Sequence, residues 1–298
     1  MDVVITGSHG LIGGALGPRL RADGDQVRRL VREDPRHPDE IRWDPSAGAI
    51  DSEKLEGVDA VVHLAGAGIG DTRWTAARKQ VVRESRTQGT ALLARALAGL
   101  DRKPRVLVSA SAIGYYGDRG DAWLDEEAAA GDDFGARVCR DWEVATMPAA
   151  DAGIRVVRIR SGLVQAASGG MLRRLLLPFK LGAGGRLGSG AQYMSWITLD
   201  DEIAAIGHLL ATDAVVGPVN VTAPTPVTNA EYTRVLARVL RRPAIIPTPI
   251  FGLKAVYGAE LVDSLLGSQR VSSEKLRASG FTFAHPELED GLRAALDQ

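Results

Sequence analysis

Val3-Val4-Ile5-Thr6-Gly7-Ser8-His9-Gly10-Leu11-Ile12-Gly13-Gly14 decides how the rest of this 298-residue chain is read. Residues 3–5 are a short continuous apolar run, the pattern of a strand covered on both faces. Glycines follow at 7, 10 and 13, and a helical pattern begins among them with Leu11, Ile12, Leu16 and Leu20. Strand, glycine turn and helix together can hold a dinucleotide pyrophosphate. The helix N-terminus offers free N–H groups and partial positive charge, and glycine lets the backbone approach without a Cβ in the way. The spacing is G-x-x-G-x-x-G, not the commoner G-x-G-x-x-G. A purely structural turn is the competing reading. The preceding strand and the following helix favour the nucleotide site.

Working outward, the length suits one Rossmann-type domain with a smaller appended part. Hydrophobic content of 45% and charged content of 24% are ordinary for a globular protein. A net charge of −1 provides no field toward nucleic acid or an anionic membrane, so neither is expected as a partner. The single cysteine, Cys139, excludes an intramolecular disulfide and a Cys-rich metal site, and no metal is expected. A strand starting at residue 3 leaves no room for a signal peptide. No apolar stretch is long enough to span a bilayer. The expectation is a soluble, cytoplasmic protein.

A helix is expected over 11–22 and a strand over 26–31, which ends on Arg32-Glu33-Asp34. An acid at this position would suit the ribose 2′-OH of NAD, and a basic residue would suit a 2′-phosphate. Arg32 therefore favours NADP, unless Glu33 or Asp34 merely balances it at the surface. Residues 35–50, with Pro35, Pro38, Pro45 and Gly48, read as a turn-rich connection. Residues 58–67 form a buried strand ending in small residues. Leu64, Ala65 and Gly66 would pass under the adenosine half of a cofactor, and His63 reads as structural. On the long helix expected over 75–97, Arg86 is the residue chosen to meet a cofactor phosphate.

A second constellation follows a strand over 105–109: Ser109-Ala110-Ser111-Ala112-Ile113-Gly114-Tyr115-Tyr116. A serine hydroxyl can hydrogen-bond a substrate oxygen and a tyrosine can supply a proton, whereas turn chemistry is the bland alternative. A helix over 134–145 and a strand over 154–159 come next, leading into a loop at Arg160 that would face the nicotinamide. Residues 168–192 read as a glycine-rich, basic loop, either laid over the site to grip a phosphorylated substrate or exposed with ordinary solubilising charges. Asp200 or Asp201 would cap the helix that follows, a strand is expected over 217–221, and Thr228 to Glu231 suggest a cap before a helix over 230–240.

Taken together, the Thr-Gly-x-x-Gly-x-x-Gly, His63-Leu64-Ala65-Gly66 and Ser109-Ala110-Ser111 segments resemble extended or atypical short-chain dehydrogenase/reductases. Tyr115-Tyr116-Gly117, Cys139-Arg140-Asp141-Trp142-Glu143, Pro178-Phe179-Lys180-Leu181-Gly182, Ser195-Trp196-Ile197 and Gln269-Arg270-Val271 narrow the resemblance to one subgroup. These are epimerase-family proteins described as nucleoside-diphosphate-sugar epimerases, with a short C-terminal domain of unknown function. The resemblance implies an α/β fold: a Rossmann-type doubly wound parallel sheet over 1–222 and a small, mostly helical substrate-side lobe over 223–298. It implies NADP(H) as cofactor and a small-molecule substrate such as a nucleotide sugar. A homodimer is left open. Carried over, Gly7, Gly10, Leu11 and Ile12 would contact the pyrophosphate, Arg32 the 2′-phosphate, and Leu64, Ala65 and Gly66 the adenosine region. Arg86 and Arg160 match cofactor-contacting positions and Ser111 the catalytic serine position; from the residues themselves, Ser109 joins the cofactor set and Tyr115 is the candidate catalytic proton donor.

The sequence departs from the superfamily at one place. The usual general acid/base is a tyrosine with a lysine four residues on, one helical turn later. None of the five tyrosines has a lysine at that spacing, and Phe134 to Cys139 stand where the pair belongs. Two functional classes follow: an NADP-dependent epimerase or oxidoreductase with a different proton donor, Tyr115 or Tyr116, or an NADPH-binding regulator that has lost catalysis.

Overall fold

The computed structural model describes residues 1–297. Its central sheet has eight strands: β1 (Asp2–Thr6), β2 (Gln26–Val31), β3 (Glu40–Asp44), β4 (Ala49–Ile50), β5 (Ala60–His63), β6 (Val106–Ala112), β7 (Arg155–Ser161) and β8 (Gly217–Val221). Their spatial order is β8-β7-β6-β5-β1-β2-β3-β4. All neighbours pair parallel except β3 with β4. The chain runs outward from β1 through β2 and then returns to β5 on the other side. The reversal opens a crevice over the carboxyl ends of β1 and β5, where such sheets bind ligands.

Helices cover both faces, which explains why Val3, Val4 and Ile5 are all inaccessible. On one face Val3, Ile5, Val62 and Val108 pack with α1 (Leu11–Ala22) and α6 (Leu199–Ala211). On the other, Val4, Val61 and Leu107 pack with α2 (Ala76–Ala98) and α4 (Met147–Asp151). Between these two helices in sequence comes α3 (Phe134–Val144). A third cluster joins α5 (Gly170–Lys180) to the C-terminal α7 (Asn229–Leu240) and α8 (Leu288–Leu296) around Trp196.

The C-terminal segment also re-enters the sheet's own core. Leu276 and Phe281 pack in the same cluster as Val3 and Ile5. The buried Asp201 carboxylate accepts hydrogen bonds from the N–H groups of Ala284 and His285 at 2.7 and 3.0 Å. A two-residue pairing of Arg270–Val271 with Trp123–Leu124 fastens this segment to the loop after β6.

Three expectations need correction. The proline-rich stretch over 35–50 contains β3 and β4, because Ile41 and Trp43 alternate inward between flanking prolines. The basic loop over 168–192 contains α5, whose Leu172, Leu175, Leu176 and Phe179 follow helical spacing onto the third cluster. The cap of α6 is Thr198, whose hydroxyl accepts from Asp201 N–H, so neither Asp200 nor Asp201 holds that position.

Candidate active site

The cradle is built where β1 turns into α1. Gly7 sits at φ +68°, and a Cβ there would lie 2.8 Å from the Leu64 carbonyl carbon. A Cβ on Gly13 would lie 2.3 Å from Gly7 O, so α1 can approach the turn this closely only with glycine. Gly10 is the N-cap of α1 and gives no side-chain bond, leaving the first-turn N–H groups of Leu11 and Ile12 directed at the crevice. Ser8 Oγ is buried without a hydrogen-bond partner. These are the open donors that a pyrophosphate group would use, and the residues present fit one.

The floor of the crevice is held from below. Thr6 Oγ1 accepts from the N–H groups of Leu64 and Ala65 at 3.0 and 3.1 Å. Its own proton then goes to His63 Nδ1 at 2.8 Å, and His63 Nε2–H faces Thr90 Oγ1 at 2.8 Å. Burial lowers the His63 pKa from 6.5 to about 4, so the ring is neutral. His63 thus fixes the turn bearing Leu64 and Ala65.

At the end of β2, the structure separates the three charged neighbours. Glu33 pairs with Arg36 and Asp34 with Arg42. Arg32 is exposed and, among the described residues, has no partner. Arg86 is half-buried, lies 5.0 Å from the Trp142 ring, and donates to Ala67 O at 2.9 Å and Val82 O at 3.1 Å. It lies directly against the exposed Gly66, where an added Cβ would meet the guanidinium at 3.4 Å. Arg174 of α5 reaches over to Gly70 O and Asp71, joining α5 to the loop after β5.

At the carboxyl ends of β6 and β7 lies a network of buried polar groups. Ser111 lies within β6, which runs on to Ala112 and not only to residue 109 as expected. Its Oγ donates to Glu143 Oε1 of α3 at 2.8 Å. Arg160, at the end of β7, grips the same carboxylate twice, Nε to Oε1 at 2.8 Å and Nη2 to Oε2 at 3.0 Å. Arg160 is not in a loop as expected; it belongs to the sheet, and its side chain is buried. Its Nη1 also donates to Tyr116 Oη at 3.0 Å, and Tyr116 donates to Asn220 Oδ1 at 2.6 Å. Glu143 pushes the Arg160 pKa up, against the opposing effect of burial.

The two adjacent tyrosines therefore differ. Tyr116 is inaccessible, and burial pushes its pKa up to about 12. Tyr115 is half-buried, with the Arg160 guanidinium 3.5 Å from its ring centre, and its hydroxyl has no protein partner among the described residues. Ser109 is buried one pleat below Ser111, and its Oγ also lacks a partner. Cys139, on α3, is buried and its thiol is pushed up to about 12, so it remains protonated. Sequence reading missed Glu143. The available signal was its place beside Trp142 on the apolar face of α3, where a carboxylate needs a cationic partner.

Comparison with known proteins places the chain in a family. The model of the NAD dependent epimerase/dehydratase family matches residues 3–242, and a domain of unknown function matches 248–295. An epimerase family protein of Mycobacterium bovis, Mb2239, is 44% identical over 290 residues, covering 97% of this chain and 96% of its own. The crystal structure of the human epimerase family protein SDR39U1 with NADPH superposes with a TM-score of 0.91 at 34% identity. That match covers 100% of this chain and 99% of the human one. A nucleoside-diphosphate sugar epimerase from Corynebacterium glutamicum has a TM-score of 0.81 at 39% identity, covering 99% of this chain and 58% of the other.

Proposed function

Because the chain belongs to the NAD dependent epimerase/dehydratase family, we propose that it binds NADP(H) and acts on a small carbonyl or alcohol substrate, with a nucleotide sugar as the leading class. The observation that carries the cofactor choice is Arg32, left unpaired at the end of β2 while both neighbouring acids are engaged elsewhere. A 2′-phosphate there gains a charge-assisted partner that a 2′-OH cannot exploit to the same degree. NADPH in the related human structure and the sugar epimerase from Corynebacterium support the same reading.

When bound, the cofactor supplies or accepts a hydride at the substrate carbon. The chain's own residues do the rest. Gly7, Gly10, Leu11 and Ile12 seat the pyrophosphate against the α1 N-terminus, and Leu64, Ala65 and Gly66 line the adenosine side. Ser111 orients the substrate oxygen, and Tyr115 Oη holds the exchangeable proton beside it. Tyr116 keeps its proton and fixes Arg160 and Asn220 instead.

A second reading has its own support. No lysine follows any tyrosine at four residues, and the start of α3, Phe134 to Cys139, contains neither a tyrosine nor a lysine. On that reading the protein binds NADPH and regulates without turnover. Titrating nucleotide-free protein with NADPH and NADH, followed by nicotinamide fluorescence, tests the cofactor assignment. Tighter NADPH binding that Arg32→Ala removes is expected, and equal binding of the two would make Arg32 a surface charge. A panel of carbonyl and alcohol substrates then separates the enzyme from the regulator. Turnover abolished by Ser111→Ala sinks the regulator.

A further inference from the structure

A serine hydroxyl has one proton and two lone pairs. At Ser111 that proton is committed. Its only hydrogen-bond partner among the described residues is Glu143 Oε1 at 2.8 Å. Arg160 holds both oxygens of Glu143, at 2.8 and 3.0 Å, with little of either side chain exposed. Both oxygens of Glu143 already accept from Arg160, and the Ser111 hydroxyl is the donor in the third bond to that side chain. Turning the hydroxyl toward the cleft would exchange a charge-assisted bond in a low-dielectric interior for a neutral one.

We propose that Ser111 meets its substrate as a hydrogen-bond acceptor, held in that state by Glu143, so that the group it seats is a hydroxyl and not a carbonyl. This rests on the reading of the cleft as the site of substrate oxidation or reduction. The reasoning is one of polarity. The free lone pairs of Ser111 attract an O–H and repel the lone pairs of a C=O. The resting site is thereby matched to the alcohol member of an alcohol–carbonyl pair. Glu143 acts only through Ser111 and is a positioning residue. It lies 32 residues from Ser111 in sequence, on a different element, so the polarity of the site is set by the packing of α3 against β6 and β7.

Two measurements test this. Neutron diffraction from the deuterated protein locates the deuteron on Ser111 Oγ directly. It is expected on the line to Glu143 Oε1, and a deuteron aimed into the cleft overturns the proposal. The second uses cyclohexanol and cyclohexanone as matched probes, compared by saturation-transfer NMR on protein saturated with NADPH. Cyclohexanol should be preferred several-fold, about fivefold if a single neutral hydrogen bond decides it. Ser111→Ala, which leaves the Glu143–Arg160 pair intact, should erase the preference. Glu143→Gln, whose amide can donate to Ser111, should weaken or reverse it. Equal response to both probes, absence of response included, overturns the proposal. Failure of the functional reading looks different: the protein then binds no NADPH, while the neutron map still decides where the Ser111 proton lies.

Discussion

At the β1 end of the cleft, Ser8 Oγ, Arg32 and the first N–H groups of α1 have no protein partners; at the β6–β7 end, Ser111, Glu143, Arg160, Tyr116 and Asn220 satisfy one another. The two regions lie on the same edge of one sheet. The first is arranged for a charged ligand that completes it. The second is complete already and offers the cleft only what its internal bonds leave over: lone pairs on Ser111 and the hydroxyl of Tyr115. Binding and chemistry therefore ask different things of the chain. Arg32 is exposed at the mouth of the crevice, where water can satisfy it, and Ser8 Oγ is left buried for a ligand to meet. A buried carboxylate beneath the crevice is not tolerable without its cation.

The largest effect that would break this contrast is on stability. Arg160→Ala leaves Glu143 buried without its cation, and a loss of about 3–5 kcal/mol is expected from denaturant unfolding. Replacing both partners with apolar residues should cost less than the single change. A loss below about 1 kcal/mol for Arg160→Ala would mean that water reaches the pair and that the region is as open as the cradle.

Next comes pH, which separates the regions by sign. His63, under the cradle, has its pKa lowered by burial to about 4. The unfolded chain takes up that proton first, so the contribution of His63 is full above about pH 6.5 and is lost as the pH falls toward 4. Glu202, whose Oε1 accepts from Ser161 beside Arg160, has its pKa raised by burial to about 7, with the Ser161 bond opposing. Here the folded protein takes up the proton first, so the contribution is full below about pH 4.5 and is lost as the pH rises through 7. Each swing is about 3 kcal/mol, and between pH 4.5 and 6.5 they oppose. Glu202→Gln should remove the loss on the alkaline side and expose the acid-side loss from His63. Unfolding measured at several pH values checks this, and a Gln variant with the same pH profile as wild type would contradict it.

A smaller effect sharpens the cradle. Arg32→Ala should weaken NADPH binding by about 1.5–3 kcal/mol, the range for a hydrogen bond to a charged group, and leave NADH binding unchanged. Smallest on stability is the effect of Tyr115→Phe. It should lower the unfolding free energy by about 0.5 kcal/mol or less, since its hydroxyl has no partner, yet impair turnover. Tyr116→Phe loses bonds to Asn220 and Arg160 and should cost about 1–3 kcal/mol. If Tyr116→Phe impaired turnover with no loss of stability, the roles of the two would be interchanged.

The cradle was legible in the sequence because its signals are local. Val3 to Gly13 specify strand, turn and helix within a dozen residues, and α1 and β8 have the expected bounds. β3 was hidden because its alternation is only five residues long and stands between Pro38 and Pro45. The helical spacing of α5 was present in its leucines but masked by flanking glycines and by Pro178 inside the helix. The reactive side was half legible. Ser111 and the tyrosines stand in one segment, whereas the partner that fixes the polarity of Ser111 is a residue of α3, and the cation that holds that partner is on β7. Such pairing is a product of tertiary packing, and no spacing rule carries it.

The anchoring of the C-terminal segment has a consequence for how this architecture can diversify. Leu276 and Phe281 fill the sheet's core, and Ala284 and His285 are tied to Asp201. The C-terminal region is therefore not an interchangeable part. Grafting residues 223–298 onto another nucleotide-binding sheet would carry away side chains on which the donor's own sheet depends, and would leave the recipient with sockets of the wrong shape. Changes in either part are accordingly constrained by the core that the two share.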